Sequence, residues 1–154
     1  MQVIGTLRKT SDGVRLHFSP DLARLLNWFL MKETGMVFLT PKRPAKVSLW
    51  SKKFAYKQKY PKSIDKYIGR KYTIDIDPTK AVYLISYKPD RCYWVYFLNI
   101  ECPVLWSLIK ELGVEDSFDA RNRPHMTISN SKYAITANIK KFNTYFIDSP
   151  SFTD

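Results

Sequence analysis

Between Val14 and Phe29 the hydrophobic pattern switches from alternation to a helical period, which predicts a strand running directly into a helix. In VRLHFS, Val14, Leu16 and Phe18 fall on one face of an extended chain, with Arg15, His17 and Ser19 on the other. Ser19 then offers an N-cap oxygen, and Pro20 is suited to a first helical turn, where its missing N–H would have no partner anyway. Leu22, Leu25, Leu26 and Phe29 recur at helical spacing as the expected buried stripe, and Gly35 is the expected stop.

The remaining elements follow from the same signals. Met36–Thr40 and Lys46–Trp50 read as strand segments around the turn-prone PKRPA, and Pro61–Gly69 as a short helix. Ala81–Tyr87 and Tyr93–Ile100 form a hairpin around KPDR. Pro103 opens a second helix with the stripe Leu105, Leu108, Ile109 and Leu112, and Gly113 ends it. The acidic stretch Glu115–Asp119 reads as a solvated turn, followed by strands near Met126–Ser129 and Tyr133–Phe146. There is no sequence repeat and no low-complexity linker. Strands and helices mix without regular alternation, so the expected class is α+β in one domain spanning residues 1–154.

Charge narrows the partners. The chain carries 25 Lys and Arg against 14 Asp and Glu, a formal net charge of +11. A balance that basic favours polyanions, because each phosphate neutralised by a cation releases counterions. Between Lys42 and Lys71 there are eleven basic residues and one acidic residue, Asp65, interleaved with Trp50, Phe54, Tyr56, Tyr60 and Tyr67. Lysines there would track phosphates while rings such as Trp50 and Tyr56 stack on bases; the alternative is a solvated face with its rings packed inward. No apolar run reaches the length that spans a bilayer, and the N-terminus lacks the apolar core of a signal peptide, so a cytoplasmic protein without a membrane partner is expected. Cys92 and Cys102 have neither CxxC nor zinc-ligand spacing and read as reduced thiols, a hairpin disulfide being the alternative.

With two histidines in the chain, each bears on chemistry. In RPHMTIS, strand alternation turns His125, Thr127 and Ser129 to one face. The imidazole can move a proton near neutral pH and the hydroxyl can donate to a phosphate oxygen, with Arg121 and Arg123 supplying charge-assisted contacts. An isolated HxT is also compatible with a polar strand end carrying a solvated histidine.

The order of elements ending in RPHMTIS resembles the two-histidine (2H) phosphoesterases, the LigT-like family, over about Val14 to Phe146. The resemblance implies two lobes around a cleft, each offering an HxT/S motif from a strand. It also implies metal-independent cleavage of phosphodiesters without a cofactor: 2′,3′-cyclic phosphates, RNA ends, 2′–5′ bonds or cyclic oligonucleotide signals. His125 and Thr127 match the second motif. In the first, AKVSLWS, Ser48 holds the hydroxyl position and Lys46 stands where the histidine would be. Three readings follow. His17, on a face shared with Arg15, would replace that histidine from a neighbouring strand; or Lys46 would serve as phosphate clamp or acid; or the site would bind a nucleotide or RNA without cleaving it. The composition suits a viral source, for which removal of a nucleotide signal or RNA processing in the host cytoplasm would be the corresponding task.

Overall fold

The computed structural model describes residues 1–34, 43–54, 59–88, 91–118, 123–131 and 144–146. It is α+β, with eight strands and two α-helices among the described residues. In chain order these are β1 (Gln2–Thr10), β2 (Gly13–His17), α1 (Pro20–Thr34), β3 (Lys46–Ser51), β4 (Lys71–Asp75), β5 (Ala81–Lys88), β6 (Arg91–Asn99), α2 (Pro103–Leu112), β7 (His125–Ser131) and β8 (Thr144–Phe146). They form one sheet in the order β4-β1-β2-β3-β7-β6-β5-β8, antiparallel except where β8 runs parallel to β5.

That order falls into two halves with the same succession. Each has a hairpin, then a helix, then a strand that becomes the inner edge, then a strand that flanks the hairpin on the outside. The inner strands β3 and β7 pair with one another, joining the halves through Val47 opposite Met126. Among the described residues the order of elements thus repeats where the sequence does not, but the direction of the outer strand differs: β4 is antiparallel to β1 and β8 parallel to β5.

One face of the sheet is apolar. Leu7, Leu16, Val47, Met126 and Leu98 are fully buried and share one core with Leu22, Leu26 and Leu30 of α1 and Leu105, Leu108, Ile109 and Leu112 of α2. The α2 stripe and its stop are as expected: Gly113 takes the left-handed conformation (φ 67°) and donates its N–H to the Ile109 and Lys110 carbonyls. The α1 stripe is rotated from the expected one. Leu22, Ala23, Leu26, Asn27 and Leu30 are buried while Leu25 is 49% exposed, so the core lies one residue round from a Leu22–Leu25 line. Ser19 Oγ accepts from the Asp21 N–H at the helix start (3.3 Å), and Gly35 lies outside the described residues.

Two strands were absent from the sequence reading. β1 precedes VRLHFS and pairs with it through a turn at Ser11-Asp12; its alternation is interrupted by Gly5, where an added Cβ would lie 2.5 Å from Leu16 Cγ. β4 begins at the last residue of the basic run, Lys71, and lies on the outer side of β1. The expected helix at Pro61–Gly69 is a 3₁₀ segment, Lys62–Tyr67, that turns Ile64 and Tyr67 inward. The expected strand at Met36–Thr40, and Tyr133–Phe146 apart from β8, fall outside the described residues.

Candidate active site

The polar face of the central strand pair gathers both sequence motifs. Val47 and Met126 are opposite one another and turned into the core. Their neighbours therefore point to the other face: Lys46 and Ser48 from β3, His125 and Thr127 from β7. Continuing the antiparallel register sets Lys46 across from Thr127 and Ser48 across from His125. All four are half-buried. Such diagonals, Lys46 to His125 included, are about 7–8 Å apart, within reach of a single tetrahedral anion between long side chains.

The proton on His125 has a defined place. Nδ1 lies 2.8 Å from the Arg123 carbonyl oxygen, which can only accept, so Nδ1 carries hydrogen and donates. In the neutral ring Nε2 is then the basic nitrogen. A cavity of about 290 Å³ opens beside this strand end, lined by Ile100, Glu101, Pro103, Trp106, Arg123 and Pro124.

His17 extends the site by one strand. It is opposite Lys46 in the β2–β3 register and opposite Thr6 in the β1–β2 register. Its Nε2 is buried without a hydrogen-bond partner. Burial first, then the charges of Arg8, Arg15 and Lys46, lower its pKa and favour the neutral ring. It sits beside the cations Arg8, Arg15 and Lys46, and one strand, β3, separates it from Thr127.

The proposed ligand contacts are distributed differently. Arg15, on the strand face shared with His17, was expected to be a ligand contact. Instead its buried guanidinium grips the hairpin turn, donating to Asp12 Oδ1 (2.7 Å), Asp12 Oδ2 (2.8 Å) and Thr10 Oγ1 (2.6 Å). That fork holds the Asp12 carboxyl far below the usual carboxylate range, first through the Arg15 hydrogen bonds and then the Thr10 hydroxyl. Trp50 was expected to stack on a base. A bulge between β2 and β3 places it opposite Val14, with Leu49 as the extra residue, and its ring packs edge-on against Tyr60 in the core (centroids 5.2 Å apart). Tyr60 in turn donates to Asp65 (2.7 Å) beneath Lys9, and Tyr67 is buried. The described rings of the basic run thus brace the fold, while Lys52, Lys53, Lys59, Lys62 and Lys66 remain exposed. Arg123 is exposed and pairs with Glu101 (3.0 Å). Tyr56 and Arg121 lie outside the described residues.

Among the described residues no group of three or more His, Cys, Asp or Glu is arranged to hold a metal, and no helix is long and apolar enough to cross a membrane. Cys102 is a buried free thiol at the start of α2. Comparison with protein-family models, curated proteins and solved structures finds no match to the chain.

Sequence reasoning missed two neighbours of the site, Thr6 and Arg8. Their signal was the Thr10-Ser11-Asp12-Gly13 turn, which announces a strand before β2.

Proposed function

We propose that the protein is a 2H-type phosphodiesterase that cleaves nucleotide or RNA phosphodiesters without a metal ion. The observation that carries the reading is the pairing of β3 with β7, which puts Lys46, Ser48, His125 and Thr127 on one face from two topologically equivalent strands. In the two-lobed arrangement of that family, each half supplies one motif to a common phosphate.

The chemistry assigned to these residues is in-line displacement at phosphorus. His125, its Nδ1 proton held by the Arg123 carbonyl, uses Nε2 to take a proton from the attacking water or ribose hydroxyl, or in its charged form to give one to the leaving oxygen. Ser48 and Thr127 donate to the non-bridging oxygens, where negative charge grows as the nucleophile adds. Lys46 supplies a fixed cation to the same oxygens. Its assigned role is that of a clamp on the phosphate. Neutral His17, beside Lys46, is the acid–base group on the opposite flank.

A second reading has one specific feature behind it, the lysine at the first motif's histidine position: the protein binds and sequesters the same ligands without turnover. The two part on one experiment. With EDTA present, 2′,3′-cyclic mononucleotides, 2′–5′ and 3′–5′ oligoadenylates and cyclic dinucleotides are incubated with wild type and His125→Ala. Cleavage that falls by about 10²-fold or more in His125→Ala supports the enzyme. Retention of ligand without cleavage supports the sequestering protein, and neither cleavage nor retention ends both.

A further inference from the structure

The four central side chains account for one phosphate, yet the cationic face continues outward over β2, β1 and β4. In one cross-strand row, Lys46 is followed by His17, Thr6 and Lys71; in the next, Ser48 is followed by Arg15 and Arg8. Leu7, between Thr6 and Arg8, is fully buried on the opposite side, and so is Ile74 of β4; Arg8 and Lys71 are exposed on this one. Arg8 lies directly opposite Arg15, and like charges facing one another across strands destabilise a sheet. Asp12 neutralises Arg15 through a bidentate contact and so leaves Arg8 uncompensated. Among the described residues neither Arg8 nor Lys71 has an ion-pair partner. With Lys71 opposite Thr6 and Arg8 two residues beyond Thr6, the two cations are diagonal neighbours around a hydroxyl.

We infer that Arg8 and Lys71, with Thr6 between them, hold a second phosphate of the same ligand, so that the substrate class carries at least two phosphates one nucleotide apart. This rests on the phosphodiester reading of the central site and narrows it. Strands are spaced about 4.8 Å apart, so β1 stands about 10 Å from β3 at backbone level. β4, which carries Lys71, stands one spacing further out, and the reach of long Arg and Lys side chains covers the difference to the step between successive phosphates of a nucleotide chain. A mononucleoside 2′,3′-cyclic phosphate fills the central site alone. A linear or cyclic dinucleotide fills both, and charge complementarity is satisfied only then.

The test measures dissociation constants of three probes for wild type and for the Arg8→Gln/Lys71→Gln double variant, with native folding checked by circular dichroism. The probes are 2′,3′-cyclic AMP, a 5′-phosphorylated linear adenylyl dinucleotide and cyclic di-AMP. The preference of wild type for the two-phosphate probes over 2′,3′-cyclic AMP should fall by about tenfold in the double variant, and its salt slope for those probes should be shallower by about 0.7 or more. The same drop for both dinucleotides assigns the pair to the shared phosphate chemistry; a drop for one alone says which form, linear or cyclic, reaches the second seat. An unchanged preference overturns the inference while leaving the central site standing. Failure of wild type to retain any probe overturns the phosphodiester reading itself, and this inference with it.

Discussion

His17 shows how a residue's chemistry is decided by what surrounds it. In the sequence it shares a face with Arg15 and Ser19; in the fold it also meets Arg8 from β1 and Lys46 from β3. Burial and these charges oppose its protonation, so its folded pKa lies below the unfolded value of about 6.5. The unfolded chain therefore binds more protons in that range. The stability conferred by neutral His17 is present above about pH 6.5 and is lost as pH falls through the folded pKa. Urea denaturation from pH 7.5 to 5 should show wild type losing more stability than His17→Gln; parallel profiles would remove His17 from this account. The shared face of His125 and Thr127 was readable from strand alternation, whereas Lys46 and Ser48 were singled out only by the resemblance to the 2H family. The diversion of Arg15 to Asp12 was not, because it needs the turn geometry that brings a carboxylate three residues away under a buried guanidinium.

At the level of elements, agreement follows the strength of the local signal. α2 matched at its proline, its stripe and its glycine because each obeys a short-range rule. Gly113 is the sharpest case: at φ 67° a Cβ is strained whatever the surrounding space. Gly113→Ala should cost about 1–2 kcal/mol, read as a lower urea midpoint with an unchanged slope. β1 was missed for the opposite reason. Gly5 breaks its alternation, and that glycine is explained only by the Leu16 and Phe18 side chains lying over it. The bulge at Leu49 likewise depends on pairing with β2, and it turns Trp50 from an expected stacking platform into core. A one-residue insertion in a ladder reverses facing, and no count along a single strand reveals it.

For the whole molecule the decisive contact is the seam between β3 and β7. Met126 is fully buried there opposite Val47. Met126→Ala should destabilise the fold by about 2–5 kcal/mol through lost burial and the cavity left behind, measurable by thermal or chemical denaturation. The seam also aligns the two motifs, so in the protein that remains folded ligand affinity should fall together with stability. If affinity is unchanged, the four side chains do not act on one phosphate. The net charge of +11 and the strand–helix order could be read before any coordinates, since charge is a sum over residues and each element obeys a period within its own span. So could the types of residue able to handle a phosphodiester. Their meeting could not. Residues 46–48 and 125–127 are brought together by backbone hydrogen bonds between distant strands, and register across such a pair depends on both helices packing on one core. The repeated succession of the two halves was equally hidden, because topology is conserved by the packing of apolar faces, which many unrelated side chains satisfy. Sequence thus determined the chemistry on offer and the local elements, and tertiary pairing alone decided which of those groups share a face.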